Sequence, residues 1–318
     1  MAKYSIIIPV YNGAPYLHKC LDSVTSQKYD DYDIIIVNDG STDETEAIIK
    51  EYDSDKIRYY KKENGGVSDA RNYGIDKITS EFFTFVDADD YVSNKLLSIV
   101  DKNIDDGNDI LSFNISLHDK YGNTVKDIRK PVFNDISGSR AIVRFIEKGG
   151  LFDTPVAYVY RTSYFKDSGF KYAKGKVHED FGLTPLAIIK AQSITAISDY
   201  LYYYVQNDNS ITQSIDPAKN AKRAWDMLYH FDYLYLNVNN DVNLDKKVKD
   251  IFNSFIANAV IYKATSLKGK ELKEYIKELK NRHVASLLLH DNMNRLLKKI
   301  VIKCNVNLYL NLFAKRRR

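Results

Sequence analysis

The sequence predicts an α/β fold, a mostly parallel sheet with helices on both faces followed by a C-terminal helical region, and three observations predict it. Short apolar runs recur at residues 4–10, 33–38, 57–61 and 82–86, bounded by polar or turn residues, as strands buried on both faces are. Helical spacing separates them, and a βαβαβαβ order with short connections builds a doubly wound sheet. After Pro217 the spacing is mostly helical, which sets an α/β domain over 1–215 and a helical region over 216–318.

The first run, Tyr4-Ser5-Ile6-Ile7-Ile8-Pro9-Val10, gives way to the loop Tyr11-Asn12-Gly13-Ala14-Pro15, and Leu17, Cys20, Leu21 and Val24 then mark a helix face. It reads as a strand and not a signal peptide, because Pro9, Asn12 and Gly13 stop it. Asp33-Ile34-Ile35-Ile36-Val37-Asn38 is the second strand. Ser41 with Glu44 three residues on reads as a capping box that starts a helix there, running through Ile48 and Ile49. Ile57-Arg58-Tyr59-Tyr60-Lys61 is the third strand, and Asn64-Gly65-Gly66 turns the chain into a helical stretch over 67–78. The Phe82 strand follows, then a helix at Lys95-Leu96-Leu97-Ser98-Ile99-Val100. Beyond Asp109-Ile110-Leu111-Ser112-Phe113-Asn114 the alternation fails, and Lys120-Tyr121-Gly122-Asn123 reads as a hairpin turn. Residues 138–148 read as a helix, 155–160 as a strand and 178–189 as a helix led by His178-Glu179-Asp180. The sheet gains antiparallel pieces from that hairpin turn on, and residues 193–198 and 200–206 are two short strands. The tyrosines at 202–204 are explained by β-propensity.

With 318 residues and 44% apolar content the chain can bury a real core. A net charge of +4 from 46 basic and 42 acidic residues is too balanced for nucleic acid as the main partner. Cys20 and Cys304 stand alone, without metal-ligand spacing, as expected of thiols in a reducing cytosol. No run of about 18 apolar residues can span a bilayer. Dinucleotide and P-loop glycine patterns are absent, as are His-Glu-x-x-His and Gly-x-Ser-x-Gly, which removes dehydrogenase, P-loop and motif-anchored hydrolase chemistry.

Polar residues follow successive strands: Tyr11 and Asn12, Asp39 and Ser41, residues 64–68, then Asp87 and Asp89. In an open parallel sheet all of them line one rim, where ligands bind. Tyr11 can stack on a base, Asp39 can accept a ring N–H such as the imide of uracil, and Arg71 can neutralise phosphate. Ser41 as the helix cap leaves Asp39 for such a role. Asp87 and Asp89 repel each other unless a divalent cation or a hydrogen-bond donor lies between them, and oxygen ligands favour Mg2+ or Mn2+ over Zn2+. A solvated turn leading an acidic helix N-terminus is the other reading of this cluster.

Four segments carry a resemblance: Ser5-Ile6-Ile7-Ile8-Pro9-Val10-Tyr11-Asn12, Val37-Asn38-Asp39-Gly40-Ser41-Thr42-Asp43, Asn64-Gly65-Gly66-Val67-Ser68-Asp69-Ala70-Arg71-Asn72-Tyr73-Gly74 and Phe85-Val86-Asp87-Ala88-Asp89-Asp90. In this order and spacing the chain resembles family 2 glycosyltransferases of the GT-A fold, over residues 3–210. The resemblance implies that Pro9, Tyr11 and Asp39 hold the nucleobase, usually uracil, and that Arg71 lies near the donor phosphates. Asp87-Ala88-Asp89 matches the family's Asp-x-Asp signature, the first Asp contacting the ribose region and the second binding Mn2+ or Mg2+ on the diphosphate. His178-Glu179-Asp180 matches the Glu-Asp pair whose Asp is the catalytic base. Many members add a metal-binding His after the second late strand, but Tyr204-Val205-Gln206-Asn207-Asp208 has none.

The activity implied is inverting transfer from a nucleotide sugar, usually a UDP-sugar, to a glycan or lipid-linked acceptor in cell-surface polysaccharide synthesis. Glu179 either positions the acceptor or favours its helix N-terminus, and His178 reads as structural. A sugar-nucleotide nucleotidyltransferase is the enzymatic alternative, although it would want a Gly-rich, Arg-bearing loop after the first strand. A catalytically silent glycan-binding or scaffold subunit is the other. Leu296, Ile300, Cys304, Leu308 and Leu312 at i, i+4 spacing, beside Lys298, Lys299, Lys303 and Lys315-Arg316-Arg317-Arg318, suit an anionic membrane surface, and an ordinary packed C-terminal helix is the alternative. The expected location is the cytoplasm, at the inner face of the cell membrane.

Overall fold

The structure, a computed structural model of the chain, describes residues 2–52, 54–149, 151–206 and 216–289. Strand β1 (Tyr4–Val10) is buried at every position. Because successive side chains point to opposite faces, both faces of the sheet are covered at its centre. Helix α1 (Leu17–Thr25) buries Leu17, Cys20, Leu21 and Val24, the apolar face read from the sequence. Strand β2 (Tyr32–Asn38) leads into α2 (Thr45–Glu51), whose N-cap is Glu44, three residues later than the Ser41 cap of the capping-box reading. Ser41 is spent elsewhere: its Oγ accepts the Asn12 N–H at 2.9 Å, and Asp43 Oδ1 takes Thr45 N at 3.1 Å. A hydroxyl beside two loops serves whichever backbone N–H its tertiary setting leaves unpaired.

Strand β3 (Ile57–Lys61), α3 (Val67–Lys77) and β4 (Phe82–Phe85) complete the regular half. A Cβ on Gly74 of α3 would stand 2.6 Å from Ile7 Cγ2, so the missing side chain is what lets this helix lie on β1. The two-residue β5 (Tyr91–Val92) and α4 (Leu96–Asn103) follow. Strands β6 (Ile110–His118) and β7 (Thr124–Ile128) form the expected hairpin, whose turn is closed by Asp119 side-chain bonds to Tyr121 N and Asn123 N, both at 2.9 Å. Strand β8 (Phe133–Ile136) precedes α5 (Gly138–Lys148), and a single 3-10 turn at Pro155–Ala157 opens β9 (Tyr158–Arg161). Helices α6 (Thr162–Asp167) and α7 (Glu179–Lys190) lead to β10 (Ile194–Val205). The two late strands of the sequence reading are thus one strand, bulged between Ala196 and Tyr202. Asn114 Nδ2 donates to Ser198 O at 2.8 Å and satisfies a carbonyl that the bulge frees.

The sheet runs β3-β2-β1-β4-β9-β6-β10-β5. Its first four strands are parallel, β9 is antiparallel to β4 and β6, and β10 returns parallel to β6. β6 pairs with β9 through residues 110–112 and with β7 from 115 on, while β10 pairs with β8 and then with β5. The carboxyl ends of β1, β2 and β4 therefore stand side by side, with β5 and the end of β10 beyond them.

Chain contacts divide the molecule into two units, Met1–Asn209 and Ser210–Arg318. In the second, α8 (Pro217–Asn239), α9 (Lys246–Lys263) and α10 (Gly269–Asn281) are helical. Asp216 caps α8 by accepting Ala218 N at 2.9 Å, with Pro217 at the first helical position where its missing N–H costs nothing. Among the described residues no helix is long and apolar enough to cross a membrane. The apolar and basic tail from Leu296, Cys304, Asn207 and Asp208 lie outside the described residues.

Candidate functional site

The apolar strand β4 ends where Val86 N donates to Ile7 O at 3.0 Å, and the acids follow at once. They divide by burial. Asp87 and Ala88 are partly exposed and Asp89 is exposed, whereas Asp90 is 2% exposed. Asp90 accepts the Tyr202 hydroxyl at 2.5 Å and Val205 N at 2.8 Å, so it pins this turn to β10 instead of facing solvent or capping α4. Burial, then the charges of Asp89 and Asp87, push its pKa well up. Tyr202 also accepts Asp87 N at 3.2 Å. The tyrosine that β-propensity alone explained is thus an organiser of the acid cluster, and only the pairing of β10 with β5 brings it there.

On the other side of β1 stand Pro9, Tyr11 and Asp39. Pro9 is buried within the strand and Tyr11 is 53% exposed at its end. Asp39 is 2% exposed, and its carboxylate takes Gly65 N at 3.0 Å, Gly66 N at 2.7 Å and Lys62 Nζ at 2.6 Å. Gly66, at φ 85, has the left-handed backbone that turns its N–H back toward Asp39. Lys62 also reaches Asp69 Oδ2 at 2.6 Å. Burial works against the Lys62 charge, and its bonds to Asp39 and Asp69 outweigh that, leaving its pKa above the usual range. Sequence reasoning passed over Lys62, although it follows the third strand just as the chosen rim residues follow theirs.

Arg71 links the two halves of the predicted site. Its side chain is 4% exposed, Nη2 meets Asp87 Oδ1 at 2.8 Å and Nη1 meets Glu179 Oε1 at 2.6 Å. The guanidinium lies 5.7 Å from the Phe85 ring and 5.5 Å from that of Tyr172. Burial opposes its charge, and Asp87 and Glu179 more than compensate. Asp180, next to Glu179 in the first turn of α7, is partly exposed and accepts Phe181 N at 2.7 Å. Although the residue keeps some exposure, packing that takes its carboxyl out of water first, then the charges of Glu179 and Asp153, raise its pKa to about 8 against the pull of the Phe181 N–H and Arg71. Asp153, in the turn after α5, was not anticipated from the sequence. Its own pKa is raised by burial, with the nearby Lys130 acting against the rise. Lys130 is 4% exposed, with Nζ 4.1 Å from the Tyr158 ring centre.

A carboxyl held protonated by the fold costs stability as the pH climbs. Between about pH 4, where an unfolded Asp ionises, and about pH 8, where folded Asp180 does, the unfolded chain has released a proton that the folded chain keeps. Asp180→Asn does not titrate. Its melting temperature should therefore rise relative to wild type across this window and level off above it. A difference independent of pH would show that Asp180 ionises as in an unfolded chain.

Among the described residues no three His, Cys, Asp or Glu side chains are grouped to hold a metal. The donor set nevertheless suits Mg2+ or Mn2+, which take one or two carboxylates and complete their shell with phosphate oxygens and water. Asp89 is exposed and the Arg71 ion pair is made to Oδ1 of Asp87, so this turn offers carboxylate oxygens of the kind such a cation takes.

The model of glycosyl transferase family 2 matches residues 5–169, more than half of the chain. An uncharacterised glycosyltransferase of Rickettsia bellii is 45% identical over 131 residues, 39% of this chain and 19% of that protein. The chain thus spans about a fifth of that relative. EpsJ of Bacillus subtilis, also an uncharacterised glycosyltransferase, is 28% identical over 66% of the chain and 62% of its own length. The poly(ribitol-phosphate) beta-N-acetylglucosaminyltransferase TarS of Staphylococcus aureus is 27% identical over 64% of the chain and 35% of its own length. Among solved structures, TarS 1–349 in complex with UDP-GlcNAc superposes with a TM-score of 0.79 at 21% identity, covering 99% of this chain and 91% of that one, which establishes a common GT-A fold. With the four motif segments gathered on one rim of this sheet, the chain belongs to glycosyl transferase family 2.

Proposed function

We propose that the chain is an inverting glycosyltransferase that moves a sugar from a UDP-sugar to a glycan or lipid-linked acceptor in cell-surface polysaccharide synthesis. The observation that carries this reading is the Arg71 bridge, which sets the Asp87 to Asp89 turn of β4 and the Glu179-Asp180 turn of α7 on either side of one guanidinium. Donor-binding and proton-accepting groups then come from separate segments facing one site. The family and the UDP-GlcNAc complex of TarS support the donor class. A nucleotide-sugar donor places the work in the cytoplasm, and contact with the inner face of the membrane rests on the basic tail alone.

In this mechanism Tyr11, exposed at the end of β1, stacks on the base. Pro9 and Asp39 hold the base pocket, Asp39 acting on it through the Gly65-Gly66 turn that it fixes. Asp87 and Ala88 face the ribose and the diphosphate. Mn2+ or Mg2+ held by Asp89 and Asp87 would offset the negative charge that builds on the leaving diphosphate. Asp180 takes the acceptor proton, and one displacement inverts the anomeric centre.

A thermal-shift screen of UDP-sugars with Mn2+ tests the reading. The true donor at about a hundred times its Kd adds roughly 2.7 kcal/mol of stability, and the same preparation releases UDP. EDTA should remove both effects, and Asp89→Ala should do so without lowering the melting temperature of the free protein. No shift and no UDP release with any UDP-sugar and Mn2+ would leave a silent subunit as the correct description, while full activity in EDTA would remove the metal.

A further inference from the structure

Two consecutive residues of α3 hold the segment that delivers Asp180. Asn72, 8% exposed, grips Tyr172 twice: Nδ2 donates to Tyr172 O at 2.8 Å, and Oδ1 accepts Tyr172 N at 2.9 Å. Arg71 beside it binds Glu179 Oε1 at 2.6 Å. Between these two points the backbone passes through the left-handed region at Gly175, φ 72, and again at His178, φ 61. That conformation is costly for a residue with a Cβ, so His178 holds a strained backbone at this point. His178 directly precedes Glu179-Asp180 and forms the N-cap of α7. Its turn therefore sets the direction in which the Asp180 side chain leaves the backbone.

We infer that Asn72 is a positioning residue for Asp180, its double bond pair to Tyr172 fixing one end of the 172–180 segment while Arg71 fixes the other. The inference rests on the reading of Asp180 as the base. A side-chain amide that pairs with both the N–H and the C=O of one residue acts as a strand would, and removing it leaves two buried backbone groups of Tyr172 without partners. The segment then shifts to find others. A displacement of about 1 Å at a catalytic group costs on the order of 10²-fold in rate, whereas the donor, held by the ends of β1, β2 and β4, is untouched.

The test compares Asn72→Ala and Asn72→Asp in the full chain, the second still able to accept Tyr172 N–H but unable to donate to Tyr172 O. Calorimetry with UDP and Mn2+ should give a donor affinity within about twofold of wild type, while UDP release from the UDP-sugar chosen by the thermal screen falls roughly 10- to 100-fold. The pH-dependent melting difference between each variant and its double variant with Asp180→Asn should shrink, because Asp180 is no longer held in its raised-pKa setting. If that difference and the turnover both stay at wild-type size, or if UDP affinity falls together with turnover, Asn72 only supports α3 and the inference is overturned. Where Asn72→Ala does not fold, the Asp variant is judged by the same criteria. Should Asp180→Asn alone transfer at the wild-type rate, the base reading fails by itself, and the melting difference still decides whether Asn72 places Asp180.

Discussion

Asp180→Asn should bind its donor as tightly as wild type and transfer roughly 10²- to 10⁴-fold more slowly, the usual worth of a positioned general base. Asn keeps the shape of the side chain and can still accept Phe181 N, the bond now made at 2.7 Å, but it lacks the basic oxygen. The wild-type pH profile carries a second signature. With a pKa of about 8 in the free protein, only the fraction of Asp180 that is ionised works as a base, so kcat/KM should rise about tenfold per pH unit below that value and flatten above it. In the Asn variant that limb should disappear. If Asp180 served only the first turn of α7, Asn would do as well, and neither rate nor profile would move much. Affinity by calorimetry and turnover across pH 6 to 9, in one preparation, separate the cases. Near wild-type transfer would remove Asp180 and make Glu179 the next candidate base.

Arg71→Met should lower the stability of the first unit by about 3 kcal/mol, because it strands two carboxylates that now share one buried cation. Full burial of both acids would make the loss larger, but Asp87 keeps 30% and Glu179 13% of its side chain exposed, so water recovers part of it. For a unit of this size that corresponds to a fall of roughly 6–12 °C in melting temperature. Arg71→Lys should restore less than half, since a single ammonium cannot reproduce the planar fork that meets both acids between the Phe85 and Tyr172 rings. Adding Glu179→Gln to Arg71→Met should recover stability by removing one stranded charge. A melting temperature within about 2 °C of wild type for Arg71→Met would show that the two ion pairs are solvated enough to contribute nothing.

The sequence by itself determined the regular half of the sheet, the α5 helix, the hairpin at Gly122 and the rim on which Tyr11, Asp39, Asp87 and Asp89 stand. Those features depend on apolar periodicity, on turn residues and on the rule that sites form beyond strand ends, all of which are written in neighbouring positions. Local signals misled where a polar side chain had a distant claimant. Ser41 looked like a cap and instead bonds Asn12, 29 residues away. Tertiary structure alone decided that β10 is one bulged strand, that Tyr202 holds Asp90 across 112 residues, that Lys62 shares Asp39 with the Gly65-Gly66 turn, and that Asn72 and Arg71 reach 100 and 108 residues ahead to the segment carrying Asp180. A hydrogen bond is short and directional, so its partner is set by which strands end up adjacent, and that order is fixed only when the whole sheet closes around its core.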